Sequence, residues 1–98
     1  MKATVKFTII QRMQVIQAMN SHRSKLDAGQ KQRFDQVTNL VKSNTNLFDS
    51  EEMIYIVQAL RTYSKGRDGS EGLRKLADRV EQTRIDFQMK HLGKYITA

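Results

Sequence analysis

Residues 1–10 read MKATVKFTII. From Lys2 to Ile9 the stretch alternates, with Lys2, Thr4, Lys6 and Thr8 on one side and Ala3, Val5, Phe7 and Ile9 on the other. A period of two is that of a β-strand with one dry face and one wet face, and here the wet face is basic. Almost everything after it reads as helix. The fold therefore turns on what one strand does in a helical chain, because a lone strand leaves its own backbone unpaired. Three readings are open. The strand lies antiparallel to residues 94–97, where Tyr95, Ile96 and Thr97 have β-forming side chains. It pairs with the same strand of a second copy, giving a homodimer. Or no strand forms and the first helix starts early, which the β-branched Thr4, Val5, Thr8, Ile9 and Ile10 argue against.

Outward from that stretch, a capping residue followed three positions later by Glu or Gln marks four helix starts. They are Thr8 with Gln11, Asp27 with Gln30, Asp49 with Glu52, and Asp68 with Glu71. Phe48 and Met53 add a hydrophobic staple to the third. Apolar spacing then predicts helices over about 9–22, 28–43, 50–64 and 70–92. The first presents Ile9, Met13, Ile16 and Met19 on one face, widened by Ile10 and Val15. The second carries Phe34, Val37, Leu40 and Val41, and the third Met53, Ile56, Val57 and Leu60. The fourth carries Leu73, Leu76, Ala77 and Val80, then Ile85, Phe87, Met89 and Leu92. Gly66 and Gly93 are placed to stop the third and fourth. The polar run Glu81-Gln82-Thr83-Arg84 predicts a kink near residue 82, or one helix against two surfaces. Residues 1–98 are thus expected to form a single small domain. Its class is mainly α, a compact bundle of about four helices with a short N-terminal strand.

Charge narrows the function. The chain carries a net charge of +7, unevenly placed. Residues 1–26 hold Lys2, Lys6, Arg12, Arg23 and Lys25 and no acid, and a second basic excess lies in the last quarter. Such a field attracts nucleic acid or an acidic protein surface. Catalytic chemistry is poorly supplied. There is no cysteine, so no thiol nucleophile, thiolate metal site or disulfide. His22 and His91 have no orienting partner legible in the sequence. Glu51 and Glu52 read as first-turn residues favoured by the helix dipole. The loop KGRDGSEGLRK lacks the Gly-Lys-Ser/Thr ending of a phosphate loop. No enzyme activity, cofactor, metal or small-molecule substrate is expected. Threonines and Lys6 interrupt any signal-peptide core, and no apolar run approaches the roughly 20 residues of a membrane span. A cytoplasmic, reducing home fits, with no membrane partner.

Two function classes remain. In the first, a regulatory protein contacts nucleic acid through Lys2, Thr4, Lys6, Arg12, Arg23 and Lys25, and through Lys75, Arg79 and Lys90 on the last helix. In the second, an inhibitor or adaptor of the phage or plasmid kind binds an acidic target, using Ile85, Met89, Leu92, Tyr95 and Ile96 as its apolar interface. The succession KATVKFT, threonine-capped helix, second helix resembles the ribbon-helix-helix repressors over residues 2–43. That resemblance implies a two-stranded ribbon across a dimer, with Lys2, Thr4 and Lys6 reading the DNA major groove. The pattern departs at SHRSKLDAG, longer than the family's turn, and at the two further helices.

Overall fold

The structure is a computed structural model describing residues 1–67 and 69–96, with side chains described as far as His91 apart from Asp68. Its elements in order are β1 (Ala3–Thr4), α1 (Ile9–Arg23), α2 (Ala28–Lys42), β2 (Leu47–Phe48), α3 (Ser50–Ser64) and α4 (Glu71–Ile96). The chain is a mainly α bundle with one very short antiparallel sheet.

Three helix starts form as capping boxes. The Gln11 amide donates to Thr8 Oγ1 at 3.1 Å, and the Thr8 amide to Gln11 Oε1 at 3.0 Å. Asp27 with Gln30 and Asp49 with Glu52 repeat the exchange. Each box satisfies two amides that the helix itself leaves orphaned. At the third start Phe48 and Met53 are both fully buried, as a staple requires. The fourth capping residue, Asp68, lies outside the described residues. Gly66 takes a positive φ of 71° just past α3, a conformation glycine adopts without steric cost. Gly93 does not stop α4, which continues to Ile96. Glycine inside a helix costs about 1 kcal/mol and does not by itself end one.

α3 is the axis of the bundle. It packs against α1, α2 and α4, and its buried residues include Met53, Ile56, Val57, Ala59 and Leu60. Around it stand Val15, Ala18 and Met19 from α1, Phe34, Val37 and Val41 from α2, and Leu76, Ala77 and Val80 from α4. The face of α1 differs from the predicted one. Ile9 is 81% exposed, Ile10 70% and Met13 58%, while Val15, Ala18 and Met19 are fully buried. α1 carries apolar residues on two faces. The buried one includes Ala18, whose small side chain permits close helix approach.

The strand pairs with neither predicted partner. Ala3 faces Phe48 and Thr4 faces Leu47, antiparallel and within one chain. The Val5 amide extends the pairing to the Asn46 carbonyl at 2.7 Å. Residues 94–96 are helical, and Thr97 lies outside the described residues. β2 is a two-residue strand just ahead of α3, too short for periodicity to mark. Because β1 is two residues long and bonded inside its own chain, the ribbon of a ribbon-helix-helix dimer is not formed here. Val5 reaches the core, and Phe7 meets Phe48 edge-on with centroids 6.0 Å apart.

Nor is α4 interrupted near residue 82. It is continuous over 26 residues, about 39 Å at 1.5 Å per residue. Its inner face runs on through Val80, Thr83, Arg84, Phe87 and His91, all buried or half-buried. The polar interval is carried by an Arg84–Glu81 ion pair one turn apart. Ile85 and Met89 lie on the outer side, exposed. No helix among the described residues is long and apolar enough to cross a membrane.

Candidate interaction surfaces

The N-terminal segment lies along the second half of α4, running antiparallel to it. Met1 shares a recess with Phe87, Lys90 and His91. Lys2, Ala3 and Thr4 line a neighbouring groove with Thr83, Asp86, Phe87 and Lys90. The Lys6 carbonyl accepts a 2.6 Å bond from the Arg79 guanidinium. The fold therefore gathers Lys2, Thr4, Lys6, Arg79 and Lys90 on one side. Arg23 and Lys25 sit at the far end of α1, away from this group, while Lys75 lies one turn before Arg79 on α4.

What these side chains do sorts them further. Lys2 points at Glu52, 3.1 Å away, whose side chain is almost fully buried. Removing a partner from a buried carboxylate is costly, because the charge is then under-compensated; Arg33 also approaches Glu52, at 3.8 Å. Arg23 forks onto Asp35 with bonds of 2.8 and 3.1 Å, and this holds the Asp35 carboxyl below its ordinary range. Lys75 pairs with Glu71 one turn back. Asp78, which spacing would pair with Arg74, instead meets Arg61 of α3 at 3.4 Å. Gln82 donates to Asp86. The basic stripe expected along α4 is therefore largely satisfied internally.

Arg12 is the functional surprise. Its guanidinium donates to the Val41 carbonyl at 2.8 Å, the Thr45 carbonyl at 3.1 Å and Asn46 Oδ1 at 2.8 Å. It thus closes the C-terminal end of α2, where carbonyls lack helical partners and the dipole is negative, and ties the turn that delivers β2. That turn contains Asn44 at φ 64°, a left-handed residue of the type that tolerates it. Arg12 also lies over the Phe7 ring at 5.5 Å, and Arg79 lies over it at 5.9 Å. Sequence reasoning missed this role. The signal would have been a cation in register with Val15 and Met19, at i, i+3 and i+7.

Among the described residues, Lys6, Lys25 and Lys90 have no carboxylate within ion-pair distance, and Thr4 is exposed. Of the apolar interface expected on α4, Ile85 and Met89 are exposed. Leu92, Tyr95 and Ile96 belong to the helix backbone, and their side chains lie outside the described residues.

A second apolar surface was not anticipated. Phe7, Ile9, Met13 and Ile16 form one wall of a groove of about 420 Å³ completed by Arg12, Lys42, Asn44 and Asn46. It lies on the face of α1 turned away from α3. No cluster of three or more metal-ligating side chains occurs among the described residues. His22 packs on Phe34 at 5.7 Å between ring centroids. Burial, helped by Lys25, pushes its pKa below the ordinary histidine value, and its Nδ1 has no hydrogen-bond partner among the described residues. A histidine without an orienting acceptor is not arranged as a general base. Comparison with protein-family models, curated proteins and solved structures returned no match to this chain.

Proposed function

We propose that the chain is a small non-enzymatic regulatory binding protein that docks on a protein partner of acidic surface. One contrast carries this reading. Much of the expected nucleic-acid surface is occupied within the fold, by Glu52 on Lys2, Asp35 on Arg23, backbone oxygens on Arg12 and Arg79, and Glu71 on Lys75. Large apolar side chains are meanwhile left in water on α1 and α4: Ile9, Ile10, Met13, Ile85 and Met89. Contiguous exposed apolar surface rimmed by polar groups marks protein interfaces more than phosphate-binding ones. The basic rim selects an acidic partner.

Nucleic-acid contact is the second reading, favoured by the net charge of +7 and by the exposed Lys6, Lys25 and Lys90. The two part cleanly in a salt series. Labelled duplex DNA, single-stranded DNA and RNA are titrated with the chain, and anisotropy is followed from low to physiological salt. The protein-docking reading expects weak binding that vanishes by physiological salt. Submicromolar binding there, with a log–log slope of about −4 to −5 on duplex DNA, overturns it in favour of the second.

A further inference from the structure

The groove on α1 has a chemistry that selects its occupant. Its apolar wall is helical: Ile9, Met13 and Ile16 recur at i, i+4 and i+7, with Phe7 at its end. That is the pattern by which a groove takes the apolar face of an amphipathic helix. Its polar edge is cationic and amide, formed by Arg12, Lys42, Asn44 and Asn46, with no carboxylate among the described residues that line it. The charge on Arg12 is held in place yet not neutralised, since all its acceptors are uncharged oxygens. Asp35 interacts with the charge of Lys42, but both its oxygens take bonds from Arg23.

A second copy fits this surface badly. Two such grooves face to face would bring Arg12 and Lys42 of each chain together, and residues 1–26 hold no acid to separate them. Nucleic acid would use only the cationic edge, because the aliphatic wall offers phosphates no donor and is buried only by an apolar partner. We infer that the α1 groove binds an acidic amphipathic helix of a partner protein, its apolar side on Ile9, Met13 and Ile16 and its carboxylates against Arg12 and Lys42. The inference deepens the protein-docking reading and rests on it.

The test uses a fluorescein-labelled helical peptide of about 18 residues, or five turns, with leucines on one face and glutamates on the other. Anisotropy is measured against the full chain. Saturable binding is expected, weakened about tenfold, or about 1.4 kcal/mol, by Met13→Glu, Ile9→Glu and Lys42→Glu. Lys65→Glu makes the same charge change on another surface and should leave affinity within about twofold. A peptide with lysines for the glutamates should not bind. Absence of binding by the acidic peptide, equal binding by the lysine peptide, or indifference to all three groove variants overturns the inference. So does a concentration-dependent dimer in sedimentation that Met13→Glu dissolves. That outcome makes a second copy the occupant of the α1 groove and leaves the protein-docking reading to rest on the exposed Ile85 and Met89 of α4. That reading fails separately, in the nucleic-acid salt series.

Discussion

Replacing Arg12 by methionine tests whether this cation is structural or a ligand-contacting group. Methionine keeps a stem that can lie against Phe7 and removes all three donated bonds. Those to the Val41 and Thr45 carbonyls are partly buried. A hydrogen bond to a charged group contributes about 1.5–3 kcal/mol. The lower end applies, because Arg12 is itself half-exposed. The two bonds then come to about 3 kcal/mol, and the exposed bond to Asn46 and the contact with Phe7 add a few tenths each. A domain of this size holds about 5–15 kcal/mol in total, so the loss is large. Urea melts followed by circular dichroism should show a lower midpoint at unchanged slope. The melting temperature should fall by about 12–24 °C. Arg12→Lys keeps the charge but cannot fork onto three acceptors, and should lose about 2 kcal/mol. Met13→Gln, one residue along on the exposed face, should stay within about 0.5 kcal/mol. A cost below about 1 kcal/mol for Arg12→Met would refute the clamp. A large cost for Met13→Gln would refute the orientation of α1.

Other outcomes follow from the same packing. Phe34→Ala empties the space between His22 and Tyr55 and should cost about 3–5 kcal/mol in urea melts; a cost under about 1 kcal/mol would show the site to be loosely packed. Asp49→Ala removes the α3 cap and a charge partner of Arg33, and should cost about 1–2 kcal/mol by the same measurement. His22 has a folded pKa below its ordinary 6.5, so the unfolded chain takes up the proton first. Its contribution is therefore intact above about pH 6.5 and is lost as pH falls from there through the lowered folded value. His22→Gln should flatten the urea midpoint across this window, and identical slopes with and without it would refute the assignment. Asp35, held ionised by Arg23, stabilises above its ordinary pKa of 3.8 and loses this as pH falls through the lowered value. Arg23→Gln should move the Asp35 carboxyl titration, read by NMR, back toward the ordinary value, and no movement would exclude the fork in solution.

Local rules placed the helices because their signals are local. A capping box involves residues three apart, and Thr8–Gln11, Asp27–Gln30 and Asp49–Glu52 all form as spacing predicts. The face of α1 was not legible. Ile9, Met13 and Ile16 make as good a stripe as Val15, Ala18 and Met19, and the choice belongs to α3, which needs a close neighbour at Ala18. The strand's partner was hidden for a related reason. Leu47–Phe48 is too short for an alternation, and its pairing with Ala3–Thr4 is fixed by Arg12 closing the turn across more than thirty positions of sequence. The basic surface failed in the same way. Lys2 reads as a wet-face lysine until Glu52, fifty positions on, is seen buried beside it.

Neutralising a cation and fixing it in place are different things, and this fold does both. Lys2, Arg23 and Lys75 meet carboxylates, so their fields largely cancel. Arg12 and Arg79 spend donors on carbonyl and amide oxygens, so the rotamers are set while the charge persists. Two such groups bracket Phe7 beside the exposed Lys6. Their donors are largely committed, so on the protein-docking reading their field reaches an acidic partner first and carboxylates then settle beside Arg12 and Lys42. A fixed field raises the encounter rate of an acidic surface and orients it. Because the field needs no further ordering of Arg12 or Arg79, it adds no side-chain entropy cost on binding. On the protein-docking reading, the apolar wall beside them sets how long the partner stays. On this division of labour, salt acts chiefly on association and substitution of Met13 chiefly on dissociation. The lysines that gave the sequence its nucleic-acid look are, in the folded chain, the less informative half of the surface.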